Sequence, residues 1–194
     1  MLKEKLEGKK IILGSRSPRR QQLLGELGIP FDVLLKEELD ESFPENIKGK
    51  DIALYLANIK ADQYKEELVP GTILITADTI VMLGGRVINK PSDRDDAFRM
   101  INALSGSMHT VATGVCVKSS DKTVSFYALT DVYFRKLTDE EIFYYIDNYK
   151  PYDKAGAYGI QEWIGYVAIE RIDGSYFNVM GLPVQKLYNV LMNF

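Results

Sequence analysis

The sequence predicts an α/β fold built on a mixed, strongly twisted sheet flanked by helices. Up to residue 104, short apolar runs alternate with segments of helical period, the pattern of strands interleaved with helices. After that, two long apolar or alternating runs follow one another over 109–117 and 124–134, so strands dominate, with a helix between later ones. Gly84-Gly85 between Val81-Met82-Leu83 and Val87-Ile88 reads as a hairpin turn, which adds an antiparallel pair.

The elements follow in order. Ile11-Ile12-Leu13-Gly14 is a short buried strand. Ser17-Pro18 opens a helix over 18–27, with Ser as N-cap and Pro at the first helical position, and Leu23, Leu24 and Leu27 form its apolar face. A strand over 31–35 and a helix over 51–65 come next, then strands over 73–77 and 80–83. Ser92 with Asp95 gives a capping-box signal for a helix over 93–104, whose period is carried by Ala97, Met100, Ile101 and Leu104. Thr138 with Glu141 starts a helix over 139–148 in the same way. A strand is expected over 165–172, and Pro183 opens a last helix over 184–192. There is no repeat and no low-complexity linker, and the length of residues 1–194 suggests one large domain or two small lobes.

Composition narrows the function. With 194 residues and 46% apolar content, the chain can bury a substantial core. A net charge of −3 and a pI near 5.3 argue against a general nucleic-acid binder. The single Cys116 excludes an intrachain disulfide and points to a reducing, cytoplasmic setting. The stretch from Met1 to Lys10 is charged and has no signal-peptide core, and no apolar run is long enough to span a membrane. One histidine and one cysteine support neither a zinc cluster nor a Ser-His or Cys-His unit. A metal would be held by carboxylates, which favours magnesium or manganese.

Residues 15–20 read Ser15-Arg16-Ser17-Pro18-Arg19-Arg20. Arg19 and Arg20 fall in the first turn of a helix, where the macrodipole disfavours each cation by roughly 0.3–1 kcal/mol. An anion over that helix start would reverse the penalty, and free N–H groups, serine hydroxyls and guanidinium forks suit phosphate. Solvated surface arginines are the bland alternative. Asp78 interrupts the apolar run Ile75-Thr76-Ala77-Asp78-Thr79-Ile80-Val81 and is expected at a strand end or bend, facing a cleft, as metal ligand or general base. A simple turn aspartate is the competing reading. Lys90-Pro91 is weak in isolation. The stretch Asp153-Lys154-Ala155-Gly156-Ala157-Tyr158-Gly159-Ile160-Gln161 combines small residues that admit close backbone approach with a cation and a side-chain amide able to read a base edge. Its alternative is a flexible surface loop. His109 reads as a structural histidine bonded to backbone, Cys116 as a core residue, and Tyr176 and Phe177 as core or interface groups. The acidic group Glu37-Glu38-Leu39-Asp40-Glu41 is a solvated face unless it turns a carboxylate towards Asp78.

Taken together, Ser15-Arg16-Ser17-Pro18-Arg19-Arg20, Ala77-Asp78-Thr79, Lys90-Pro91, residues 153–161 and Asn178-Val179-Met180-Gly181-Leu182-Pro183 resemble the Maf family of nucleoside triphosphate pyrophosphatases. The motifs stand in the family's order and span residues 11–183. The resemblance implies a Maf/inosine-triphosphatase-like α/β fold with a central cleft between two lobes, commonly a homodimer. It also implies hydrolysis of a nucleoside triphosphate to the monophosphate and pyrophosphate with a divalent metal. Arg19, Thr79 and Gln161 resemble the branch that acts on dTTP and UTP. By the same resemblance Asp78 is the proton acceptor or a metal ligand, Glu41 the acidic partner for metal or water, and Arg19, Arg20, Lys60 and Lys90 the phosphate-binding cations. Ser15, Ser17, Thr79, Lys154 and Gln161 complete the expected substrate-binding set. Gly14 stands where alanine is common, a harmless departure, and Glu162-Trp163-Ile164 stands where a glycine-rich continuation is frequent, at the rim near Gln161. A pyrophosphatase for modified nucleotides and a non-catalytic, nucleotide-binding regulator of cell division are the alternatives. Binding alone would not require Asp78.

Overall fold

A computed structural model of the chain describes residues 1–37 and 42–194. The described elements are α1 (Leu2–Lys5), β1 (Lys10–Leu13), α2 (Pro18–Gly25), β2 (Asp32–Val33), α3 (Lys50–Asp62), β3 (Thr72–Leu83), β4 (Arg86–Ile88) and α4 (Arg94–Leu104). They continue with β5 (Met108–Lys118), β6 (Thr123–Phe134), α5 (Asp139–Tyr149), α6 (Trp163–Ala168), β7 (Ile169–Asp173), α7 (Tyr176–Met180) and α8 (Val184–Met192). The sheet is mixed and open, in the order β2-β1-β3-β5-β6-β7, with β4 pairing to β3 off that path. The expected α/β class with helices around a mixed sheet is what the chain forms. Two compact units are distinguished: Met1–Asp78 with Thr113–Ala128 and Gly181–Phe194, and Thr79–Ala112 with Leu129–Met180.

In the first unit β1 runs parallel to both neighbours, with Ile12 opposite Asp32 of β2 and Leu74 of β3. The helix α3 buries Ile52, Ala53, Leu56, Ala57 and Ala61, a face with helical spacing. Ala57 and Ala61 join Ile12, Tyr64, Leu74 and Cys116 in one core cluster, so the expected core place of Cys116 holds. The small residues matter because α3 lies close to the sheet. A Cβ on Gly114 of β5 would stand 2.3 Å from the Ala53 carbonyl oxygen, so only glycine lets the helix backbone seat there.

In the second unit β3 turns into β4 through Gly84 and Gly85, both at positive φ (56° and 80°), the two-residue turn that the right-handed strand twist favours. α4 packs on α5, with Phe98 stacked on Phe143 at 4.6 Å and Arg94 forked onto Asp147 at 2.7 and 2.8 Å. Thr138 and Glu141 form the expected capping box of α5. The cap of α4 is Asp93 rather than Ser92, because the Asp93 carboxylate accepts the Asp96 N–H at 2.8 Å.

Four further expectations need correction. β3 is one unbroken strand where two were expected, since β-branched residues continue the extended backbone past Asp78. Residues 165–172 are not a single strand. They form the end of α6 and then β7, and the turn into α6 closes so tightly that a Cβ on Gly165 would lie 1.8 Å from the Ile160 carbonyl. The strand expected over 31–35 shrinks to Asp32–Val33, and the helix expected over 51–65 ends at Asp62. Tyr176 and Phe177, expected in the core or at an interface, are exposed and meet edge-on, so of those two places the core is excluded.

Candidate active site

The first unit carries two groups of the expected residues. Ser17 is the N-cap of α2 and Pro18 its first residue, as expected, although the Ser17 hydroxyl makes no capping bond. The neighbouring Ser15 braces the turn before the helix: its buried Oγ accepts the Ser17 N–H at 3.3 Å. Arg20 is tied down, its Nε donating to the Gly181 carbonyl at 2.8 Å and its Nη1 lying 3.4 Å from Ser15 Oγ. The helix start is thus a braced array of N–H groups and guanidinium, with Arg19 half-buried beside it. Neighbouring Arg16 donates to the Lys36 carbonyl at 3.0 Å, which steadies the chain leading towards residue 38.

The second group is Asp78 and Lys60. Asp78 is buried in the middle of β3, not at a strand end or bend. Lys60, one residue pair from the end of α3, reaches across and forms an ion pair with Asp78 Oδ1. The helix is held on the strand by Thr76, whose hydroxyl donates to the Ala57 carbonyl at 2.7 Å. A lone carboxylate at that depth would be costly, and the lysine explains how it remains inside a strand. Gly14 at the end of β1 is not a harmless variation. A Cβ there would stand 2.9 Å from both Thr76 Cγ2 and the Tyr64 ring, and Tyr64 in turn donates to the Leu34 carbonyl at 2.9 Å.

Thr79, Lys90, Lys154 and Gln161 belong to the second unit. Residues 153–161 are mostly buried rather than a surface loop. Two short 3₁₀ turns, Pro151–Asp153 and Ala155–Ala157, wind this stretch into the unit. Gly156 adopts φ 71°, with its Cα against Val81, and donates its N–H to the Asn89 carbonyl at 3.0 Å. That bond fixes the backbone next to Lys90, whose side chain is exposed. Lys154 is only 8% exposed and pairs with Asp153 at 2.7 Å and Glu162 at 3.1 Å. Gln161 Oε1 is buried and accepts no hydrogen bond among the described residues. Below the loop Tyr158 meets His109, hydroxyl to Nε2 at 2.8 Å, with Phe134 edge-on to both rings. His109 is therefore structural as expected, but its partner is a tyrosine rather than backbone. Burial holds its pKa down to about 4.

Glu41 lies outside the described residues, as do Glu38 and Asp40. Among the described residues no group of three or more His, Cys, Asp or Glu side chains gathers to hold a metal ion. Asp78 alone is a hard oxygen donor that suits magnesium or manganese, which commonly bind one or two carboxylates and complete their shell with substrate phosphates and water. Sequence reasoning missed Tyr145. It lies among the apolar residues of α5, where nothing marks it from a packing aromatic, yet its hydroxyl bonds the Glu162 carboxylate and accepts the Gly159 N–H at 3.0 Å.

Comparison with known proteins adds identity to this geometry. The profile of the family described as Maf-like protein matches residues 10–194. A dTTP/UTP pyrophosphatase from Parabacteroides distasonis is 53% identical over 98% of this chain and 99% of its own length. Proteins of the same name from Bacteroides thetaiotaomicron and Porphyromonas gingivalis are 50% and 48% identical over 96% and 98% of the chain, covering 96% and 97% of theirs.

Proposed function

The chain belongs to the family of Maf-like proteins, and on that footing we propose that it hydrolyses dTTP and UTP to the monophosphate and pyrophosphate. Near-complete coverage of relatives bearing that activity in their name supports the reading. The single structural observation that carries it is the buried Asp78–Lys60 pair, a carboxylate placed inside a strand with a cation as its partner.

The reaction joins the oxygen of water to the α-phosphorus and breaks its bond to the bridging oxygen, so pyrophosphate leaves. Asp78 accepts the proton of the attacking water. Lys60 fixes the Asp78 carboxylate through its ion pair and adds positive charge beside the forming phosphate. Arg19, the braced Arg20, Ser15 and the α2 N–H groups bind phosphate oxygens, and the anion offsets the penalty of cations at a helix start. Asp78, with Glu41 and the triphosphate oxygens, is the group that would hold a divalent magnesium or manganese ion. When bound, such an ion activates water and neutralises phosphate charge. In the second unit Lys90 and Lys154 supply cations, Thr79 a hydroxyl, and Gln161 reads the base. The unsatisfied Gln161 Oε1 is an acceptor suited to the N3–H of thymine or uracil, and its amide N–H suits a neighbouring carbonyl. Cytosine has no N3–H to give, so it leaves that buried oxygen unpaired.

The same reading makes the enzyme a cytoplasmic homodimer without nucleic-acid or membrane partners. No helix among the described residues is long and apolar enough to cross a membrane. Incubation with dTTP and UTP should release pyrophosphate. Release of orthophosphate with a nucleoside diphosphate would overturn the reaction assignment.

A further inference from the structure

The Glu162 carboxylate is engaged at both oxygens. Oε2 accepts the Tyr145 hydroxyl and Oε1 lies 3.1 Å from the Lys154 ammonium. Tyr145 is fully buried, and its oxygen also accepts the Gly159 N–H at 3.0 Å. Tyrosine, carboxylate and lysine therefore form a continuous polar array that clamps the backbone two residues before Gln161. Gly159 is where that array meets the Gln161 side chain. A Cβ on Gly159 would stand 2.9 Å from Glu162 Cδ and 3.1 Å from Gln161 Nε2, so carboxyl group and amide both rest on the same bare Cα. The Gln161 amide turns its nitrogen to that shared surface, while Oε1 is buried without a hydrogen-bonding partner among the described residues.

An amide has two ends of opposite polarity and nearly equal shape, so sterics alone do not choose between its two orientations. A neighbouring carboxylate does choose. It attracts the N–H end and repels the carbonyl, and the effect is strengthened where water is excluded. We propose that Glu162, held in place by Tyr145, is a positioning residue that sets the orientation of the Gln161 amide and so makes Oε1 the atom offered to the base. The proposal rests on the base-reading role given to Gln161 above. It also has a directional consequence. With the carboxylate neutralised, the amide gains access to the flipped state, which presents N–H donors to the acceptor N3 of cytosine.

The test compares kcat/KM for UTP and CTP, with folding followed by thermal melting. Gln161→Ala should lower the UTP/CTP ratio by about 10-fold or more, as expected when a site loses a base-specific hydrogen bond. Glu162→Gln and Tyr145→Phe should each lower it by about 3- to 10-fold, the former partly through better use of CTP. Adding Glu162→Gln to Gln161→Ala should change the ratio by less than about twofold, because Glu162 acts through the missing amide. A wild-type ratio in folded Glu162→Gln and Tyr145→Phe proteins, with the ratio lost in Gln161→Ala, overturns the positioning role and leaves base reading intact. A multiplicative loss in the double variant also overturns it. An unchanged ratio in Gln161→Ala removes base reading and the positioning role together. Should Glu162→Gln fail to fold, Tyr145→Phe, which keeps ring and volume, carries the same comparison.

Discussion

Asp78 is a charge in a place where apolar residues would pack without difficulty, and its partner Lys60 explains how the carboxylate stays there. The ion pair keeps the carboxylate in one position beside β3 and brings a cation to the same spot. Asp78→Asn keeps the shape and an oxygen for Lys60 but removes the carboxylate proposed to accept the proton of water. The expected result is a folded protein whose pyrophosphate release falls by roughly 10²–10⁴-fold, the range that general-base catalysis contributes; near-normal turnover would exclude Asp78 from the chemistry. His109 makes a second residue-scale prediction. Its ring is buried neutral, with a pKa lowered from 6.5 to about 4 by loss of water. The unfolded chain binds this proton below about 6.5 and the folded chain does not until about 4, so the contribution is intact above pH 6.5 and lost as the pH falls. Denaturation between pH 7 and 4 should show a loss approaching 3 kcal/mol from this group, on the order of 1.4 kcal/mol for each pH unit. His109→Gln should flatten that part of the profile even where it lowers stability overall.

Helix α3 is positioned by what β5 lacks. Gly114 leaves room for the α3 backbone at Ala53, and Lys60 projects from the same helix two turns further on. Gly114→Ala places a methyl group 2.3 Å from a carbonyl oxygen, and backbone cannot swing aside as a side-chain tip can. The helix must shift or the strand must bend. We expect a loss of about 1–3 kcal/mol or more in stability, read by urea denaturation, and a fall in kcat that accompanies displacement of Lys60 from Asp78. The start of α5 tests a different kind of local interaction. Thr138 accepts the Glu141 N–H, and Arg135 beside Glu141 holds that carboxyl down to about 2. Thr138→Ala should lower stability by about 0.5–2 kcal/mol without altering the UTP/CTP preference. A change in substrate preference would mean that α5 is linked to base reading by more than Tyr145.

At the scale of the whole molecule, the reaction puts a highly charged triphosphate on a chain of net charge −3, and the proposed function supplies the opposing charge from lysines, arginines and a divalent metal. Chelation with EDTA should abolish turnover, and magnesium or manganese should restore it; full activity in chelator would remove the metal from the proposal. The sequence by itself determined the fold class, most of the elements and the family. Strand period, helical period and turn glycines are local signals, and the motifs are contiguous words whose order survives translation into structure. Val184–Met192 and the Thr138–Glu141 box could be read because their residues are neighbours along the chain. The tertiary structure alone decided the partners. Nothing near Asp78 in the chain announces Lys60, 18 residues away and on another element. The same holds for Tyr145 and Glu162, 17 residues apart, and for Gly14, which is glycine because Thr76 and Tyr64 fill the space of a methyl group. The strand through Asp78 looked broken from sequence because a lone charge in an apolar run predicts a break. It is continuous because the compensating charge arrives from elsewhere in the fold, and burial and charge pairing are properties of the folded surroundings rather than of any segment.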